Sequence, residues 1–159
     1  MKVYEGDLIP VRLWLAAAPA QAGDDPEEDN GDHVGNETPA LRVLIVEDEF
    51  FISLDTKELL LEMGHAVVGI ATSAEHAITI AERERPDVVL MDIRLNGVRD
   101  GIEAADEIRA RLGIGSIFVT ANADLGTRER AKAVQPLGFL EKPFTQQRLA
   151  AALGKIAAR

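Results

Sequence analysis

The sequence predicts an α/β domain with a doubly wound parallel sheet from about residue 41 onward, and two observations support this prediction. Short apolar runs alternate with amphipathic stretches five times between residues 41 and 159, which is the pattern of β-α units. The runs at 43–46 and 88–91 are apolar at every position, as is typical of strands that helices cover on both faces. We therefore expect these two strands to lie at the centre of the sheet.

The first two β-α units are delimited by residues that cap or end helices. Gly64 follows an amphipathic stretch and is a plausible C-terminal stop, because glycine readily adopts the left-handed conformation common there. Ser73 is a candidate N-cap, and Pro86 ends the second helical stretch. The predicted strands are 41–46 and 66–71, and the predicted helices are 50–63 and 73–85.

The remaining three units continue the same alternation. Apolar runs precede Asp92 and Thr120, a shorter run precedes Lys142, and Thr145 is a candidate N-cap for the last helix. The predicted strands are 88–92, 116–120 and 138–140, and the predicted helices are 101–112, 125–134 and 145–157.

Most of the negative charge lies ahead of the predicted domain. The chain has a net charge of −10; residues 21–40 contain seven acidic side chains and no basic one, whereas residues 41–159 contain 18 acidic and 15 basic side chains. A segment this polar cannot bury enough apolar surface to offset the entropy of ordering. We therefore predict a flexible acidic extension or linker over residues 1–40 and one domain over residues 41–159.

Charge and hydropathy disfavour two classes of partner. Direct binding of nucleic acid needs clustered Lys and Arg, which this acidic chain does not offer. Membrane insertion is not expected, because no apolar run approaches the roughly 20 residues that span a bilayer. Glu5 and Asp7 argue against a secretory signal at the start of the chain. The chain has no cysteine, which excludes disulfides and is compatible with the cytoplasmic location that we expect.

Polar residues follow the apolar runs at positions that would converge on one edge of the sheet. Glu47 and Asp48 follow the first strand, and Asp92 ends the third. Thr120 and Lys142 occupy the equivalent places after the fourth and fifth strands. In an open α/β sheet, ligands bind beyond the carboxyl ends of the strands, where the strand order reverses. A 2-1-3-4-5 order would place the first and third strands side by side and bring the three carboxylates together.

Such a cluster of carboxylates requires a cation, because two unit charges about 4 Å apart repel by roughly 4 kcal/mol at an effective dielectric near 20. Oxygen ligands without a nearby His or Cys favour Mg²⁺ or Mn²⁺. A divalent cation beside an exposed carboxylate is suited to phosphoryl transfer, since it offsets the charge of the incoming group. Lys142 could pair with one phosphoryl oxygen, and the hydroxyl of Thr120 could donate to another.

Each of these residues also has an ordinary structural explanation when it is taken singly. An aspartate that ends a buried strand is commonly a turn residue or a helix cap. An acidic pair before a helix favours the helix N-terminus, and threonine suits strands. The joint occurrence of all five residues, in order, favours the functional interpretation.

The motifs that contain these residues resemble the receiver domain of bacterial two-component response regulators, in its single-domain form. The resemblance covers about residues 41–157 and implies a flavodoxin-like fold with five β-α units and the strand order 2-1-3-4-5. The motifs occur in the family's order at compatible spacings: Val46-Glu47-Asp48-Glu49, Leu90-Met91-Asp92-Ile93-Arg94-Leu95, Asp100-Gly101-Ile102-Glu103-Ala104-Ala105, Val119-Thr120-Ala121 and Leu140-Glu141-Lys142-Pro143-Phe144.

The resemblance implies that Asp92 is the phosphoacceptor. It would take a phosphoryl group from a phosphohistidine on a histidine kinase or a histidine phosphotransfer protein. The resemblance also implies that Glu47 and Asp48 hold Mg²⁺ together with Asp92 and the backbone carbonyl of Arg94.

The remaining family residues concern the response to phosphorylation. Thr120 and Lys142 would bind the phosphoryl oxygens, and movement of Thr120 would begin the switch. Phe139 stands where the family has an aromatic switch residue, commonly tyrosine, so it lacks a hydroxyl there. The peptide bond before Pro143 is cis in the family. The face formed by residues 125–157 would contact a downstream protein or a second copy of the domain.

Several functions are compatible with these residues. We expect a stand-alone receiver, because few residues follow Leu153, and we expect no enzyme activity beyond Mg²⁺-dependent autophosphorylation and slow dephosphorylation. One alternative is a receiver related to the C-terminal domain of a hybrid histidine kinase. Another is an interaction module that does not depend on phosphorylation. A metal-dependent phosphohydrolase would usually carry a second acid two residues after its nucleophile, where this chain has Arg94.

Overall fold

A computed structural model describes residues 39–121 and 124–157, which form five successive β-α units. The predicted extension, apart from its last two residues, lies outside the described residues. Strands and helices alternate along the chain in this order: β1 Arg42–Val46, α1 Phe50–Glu62, β2 Ala66–Ala71, α2 Ala74–Glu84, β3 Val88–Asp92, α3 Gly101–Leu112, β4 Ser116–Thr120, α4 Leu125–Ala133, β5 Gly138–Glu141 and α5 Gln146–Ala157.

The five strands form a single parallel sheet in the order β2-β1-β3-β4-β5, which confirms the predicted fold class and strand order. β1 and β3 are neighbours, with Val43 paired to Val88 and Val46 paired to Met91. Because parallel strands end at the same edge, this register brings the residues after Val46 next to Asp92. The strand order therefore creates the predicted site.

Helices cover both faces of the sheet and enclose two apolar layers. Buried apolar side chains, most of them aliphatic, fill both layers, and each contributes roughly 1.5–3 kcal/mol by leaving water. The α2 and α3 side is built around Leu44, Val46, Ile78, Val89, Met91, Ile108 and Phe118. The α1 and α5 side is built around Val43, Ile45, Leu60, Leu90, Ile117, Leu149 and Leu153. Among the described helices, none is long and apolar enough to cross a membrane.

The helix ends agree with the predicted caps. The Ser73 hydroxyl accepts the backbone N–H of His76 at 3.2 Å, and the Thr145 hydroxyl accepts that of Arg148 at 3.4 Å. Gly64 follows α1 with a φ of +80°, a conformation that favours glycine.

α4 buries a single residue, Ala131, and makes polar contacts with α3. Arg130 pairs with Asp100 at the start of α3, with 2.8 Å between Nη2 and Oδ2. Arg109 of α3 donates to the Val134 carbonyl at 2.8 Å, just beyond the end of α4. Arg130 is exposed, so this ion pair lies at the surface.

His65 is a buried titratable group away from the candidate site. Its Nδ1 accepts the backbone N–H of Leu41 at 3.2 Å, which requires this nitrogen to be unprotonated. Burial lowers the pKa of His65 below its usual 6.5. As the pH falls, His65 therefore takes up its proton in the unfolded chain before it does so in the folded protein. The stability that neutral His65 contributes is complete above about pH 6.5 and is lost as the pH falls below that value.

We expect His65→Gln to reduce the loss of stability between pH 7.5 and pH 5.5. Glutamine does not titrate but can still accept a hydrogen bond, so roughly 1 kcal/mol of the wild-type pH dependence should disappear. Urea unfolding at the two pH values measures the difference. His76→Gln is the matched control, because His76 is exposed on α2 and should leave the pH dependence as it is in the wild type. If His65→Gln and wild type lost equal stability between pH 7.5 and pH 5.5, His65 would not be a source of the pH dependence.

Candidate functional site

Three carboxylates meet at the carboxyl edge of the sheet. Glu47 and Asp48 immediately follow β1, and Asp92 is the last residue of β3. One ligand oxygen from each lies within 4.8 Å of the other two. Glu47 and Asp92 are only 4% and 6% exposed, so water screens their charges poorly. This arrangement is costly unless cations balance it.

Lys142 supplies one of the balancing charges. Its Nζ donates to Oδ2 of Asp92 at 2.8 Å and also to Oε2 of Glu47, and only 12% of its side chain is exposed. Its backbone N–H donates to the Thr120 carbonyl at 2.8 Å, which anchors the residue to the end of β4. The Lys142–Pro143 peptide bond is cis, as the resemblance implied. The loop thus directs the ammonium group into the acidic cluster.

Burial and pairing act in opposite directions on the charges of this pair. Burial by itself lowers the pKa of Lys142, but the hydrogen bonds to Asp92 and Glu47 raise it above its ordinary value. Burial raises the pKa of Glu47, and the hydrogen bond from Lys142 offsets part of that increase. Lys142 is therefore charged at neutral pH, and ionised Glu47 depends on its cationic partner.

The cluster fits a divalent cation. One ammonium group faces three carboxylates, which leaves an excess of negative charge within the cluster. All of the side-chain donors are hard oxygens, the ligands that Mg²⁺ and Mn²⁺ prefer over softer metals. Asp48 is only partly buried, so a hydrated ion can approach it from solvent. Glu47, Asp48 and Asp92 could therefore hold the metal.

The cluster opens into a cavity of about 640 Å³ between α1 and the loop after β5. Asp48, Asp92, Thr120 and Lys142 line its polar end. The rest of its lining comes from α1 and from the loops after β1, β3, β4 and β5, and includes Ile52, Asp55, Thr56, Leu59, Pro143 and Phe144. A phosphorylated group can therefore reach Asp92 from solvent.

The structure places the other predicted residues at different distances from this cavity. Arg94 lines it, and its backbone N–H donates to Oδ1 of Asp92 at 2.9 Å. The use of the Arg94 carbonyl as a metal ligand remains a prediction. Phe139 does not line the cavity; it is 42% exposed, and its ring centroid lies 5.8 Å from that of Phe118. Its role as a switch also remains a prediction.

Asn96 is a residue of the site that the sequence interpretation missed. Its backbone N–H donates to Oδ2 of Asp48 at 3.2 Å, and its side-chain amide donates to the same oxygen. The sequence offered one indication of this role, namely that Asn96 lies in the loop that follows Asp92. No periodicity or motif marks such a contact, because it depends on the path of the loop.

Comparison with known proteins places this site in context. A family model described as the response regulator receiver domain matches residues 43–154. The chain is 39% identical over 104 residues to the transcriptional regulatory protein PdtaR of Mycobacterium tuberculosis, an alignment that covers 65% of this chain and 50% of the relative. It is 30% identical over 121 residues to the chemotaxis protein CheY of Thermotoga maritima, covering 73% of this chain and 97% of the relative. The chain thus spans about half the length of PdtaR and nearly all of CheY.

Solved structures show the same architecture. The signal receiver domain of a modulated diguanylate cyclase from Desulfovibrio desulfuricans aligns with a TM-score of 0.72 and 34% identity, covering 75% of this chain and 94% of that one. The response regulator PhyR from Brucella abortus aligns with a TM-score of 0.64 and 31% identity, and the alignment covers 75% of this chain and 48% of the PhyR chain. These alignments match the five-unit fold described above.

Proposed function

Because the chain belongs to the response regulator receiver domain family, we propose that Asp92 accepts a phosphoryl group from a histidine kinase or a histidine phosphotransfer protein. The observation that carries this proposal is the contact of Lys142 Nζ with Asp92 at 2.8 Å, inside a cluster of three carboxylates that opens to solvent. This arrangement provides a nucleophile, a cation for the transferred group and a metal-binding set at one point.

The transfer would form a bond between a carboxylate oxygen of Asp92 and phosphorus while the phosphorus–nitrogen bond of the phosphohistidine breaks. The imidazole leaves with the bonding electrons, and the product on the protein is an acyl phosphate. When held by Glu47, Asp48, Asp92 and the Arg94 carbonyl, Mg²⁺ would offset the negative charge of the incoming phosphoryl oxygens. Lys142 would pair with one of these oxygens, and the Thr120 hydroxyl would donate to another.

We propose further that the protein is a stand-alone cytoplasmic switch that signals through protein contacts rather than by catalysis of its own. Leu125 and Phe139 are 82% and 42% exposed and lie within residues 125–157, the face proposed to contact a downstream protein or a second copy. The relatives' names range from transcriptional regulation to chemotaxis, so the family leaves the downstream partner open. A receiver related to a hybrid histidine kinase would use the same site.

Phosphorylation of Asp92 can be tested with a small phosphodonor. We expect wild-type protein incubated with Mg²⁺ and acetyl phosphate to gain one base-labile phosphoryl group by intact mass. Asp92→Asn and chelator should each abolish the gain, because the nucleophile or the balancing cation is then missing. Asp55→Asn is the matched control, since Asp55 is a carboxylate of the same cavity and should not affect the number of groups gained.

The other outcomes separate the competing functions. An unchanged mass of the wild-type protein under all conditions would contradict the switch and favour a phosphorylation-independent interaction module. Rapid hydrolysis of acetyl phosphate to inorganic phosphate would instead favour a phosphohydrolase.

A further inference from the structure

We propose that Asn96 is a positioning residue for the metal site, which fixes one oxygen of Asp48 so that the other is presented to the cation. The proposal rests on the proposed function, since it concerns the cation that phosphorylation of Asp92 requires. Asn96 and Arg94 both lie in the loop between β3 and α3, so this loop would contribute twice to the metal site.

The geometry singles out Asp48 among the three carboxylates. Glu47 and Asp92 are both fixed by Lys142. Asp48 is fixed by Asn96 instead, because the backbone N–H and the side-chain amide of Asn96 both donate to Oδ2 of Asp48. Two donors on one oxygen leave the other oxygen, Oδ1, available to a metal ion.

The neutral character of Asn96 matters for this task. A lysine or arginine at this place would orient Asp48 but would also compete with the metal for its charge. An amide orients the carboxylate and leaves its full negative charge to a cation. Asn96 is exposed and Asp48 is only partly buried, so these hydrogen bonds limit the rotation of a carboxylate that solvent can reach. Residues that orient metal ligands in this way typically change metal affinity by about 10- to 100-fold when they are replaced.

Two replacements of Asn96 separate hydrogen bonding from packing. Asn96→Ala removes the side-chain donor together with its bulk, whereas Asn96→Leu removes the donor but keeps a side chain of similar size. Both retain the backbone N–H contact to Asp48, so we expect roughly a tenfold loss of Mg²⁺ affinity in each, the lower end of the range for such residues. Thermal unfolding in chelator should match the wild type, because the side chain is exposed.

Isothermal titration calorimetry with Mg²⁺, and separately with Mn²⁺, measures these affinities on the full chain. Val98→Ala is the matched control, because Val98 lies in the same loop and is 99% exposed. At limiting Mg²⁺, acetyl phosphate should phosphorylate Asp92 more slowly in both Asn96 variants than in wild type, and the difference should narrow as the Mg²⁺ concentration rises.

The outcomes distinguish this role from the function itself. Equal metal affinities in wild type and both Asn96 variants would overturn the positioning role, while phosphorylation of Asp92 would stand on its own assay. A loss in Asn96→Ala that Asn96→Leu fully restores would also overturn it, since packing would then be the cause. Loss of phosphorylation in wild type would count against the proposed function, whatever the metal affinities are.

Discussion

Lys142→Met is expected to lower the free energy of unfolding in metal-free buffer by about 3 kcal/mol, because removal of one partner leaves buried charges uncompensated. The Lys142 ammonium donates to both Glu47 and Asp92, which are 4% and 6% exposed. Methionine keeps most of the chain length, so the loss reports the missing charge rather than a cavity. Saturating Mg²⁺ should restore a large part of the stability, since it supplies the cation that the carboxylates then lack.

Urea unfolding of both proteins, in chelator and in Mg²⁺, provides this comparison. Lys155→Met is the matched control, because Lys155 is an exposed lysine on α5 and its replacement should change the unfolding free energy by less than about 0.5 kcal/mol. Adding Glu47→Gln to Lys142→Met should recover part of the loss in chelator, because the double variant carries one buried charge fewer. A Lys142→Met protein as stable as wild type in chelator would show that the carboxylates are not repelling one another in the folded protein.

Lys142 also illustrates why so much of the site could be predicted from the sequence. Its partners Glu47 and Asp92 are separated from it by 95 and 50 residues, yet all three lie at the carboxyl ends of strands of one parallel sheet. β1 and β3 are recognisable from unbroken apolar runs and β5 from a shorter one, and parallel strands end at a common edge. Once the strand order is known, it predicts which polar residues at the strand ends lie close together.

Contacts that depend on loop paths could not be predicted in the same way. The two donors from Asn96 to Asp48 arise from the conformation of the loop after β3, which no hydrophobic periodicity encodes. The ion pair between Arg130 and Asp100 has the same origin, because Asp100 is the last residue of that loop, where it caps α3. A register shift between Val43 and Leu44, where β1 pairs with β2, is equally invisible in the alternation of residues.

Gly101→Ala is expected to damage both the fold and the site, although Gly101 carries no side chain that could react. Gly101 is buried at the first position of α3, and its N–H donates to the Ile93 carbonyl at 3.0 Å. A Cβ added there would lie 1.8 Å from the carbonyl oxygen of Asp92, which is backbone and cannot rotate away. Either α3 or the end of β3 must move, at a cost of about 3 kcal/mol, the upper part of the range for overpacking.

The displacement would also reach Asp92, the proposed phosphoacceptor, because the atom that clashes is its own carbonyl oxygen. Urea unfolding should show the loss of stability, and acetyl phosphate should phosphorylate the folded variant more slowly than wild type at equal Mg²⁺. Gly154→Ala is the matched control: Gly154 lies inside α5 with nothing within 4 Å of an added Cβ, so alanine should stabilise the protein by up to about 1 kcal/mol through helix propensity. A gain of stability in both variants would mean that the first turn of α3 moves at little cost. Close packing of Gly101 would then not be what holds the backbone of Asp92 in place.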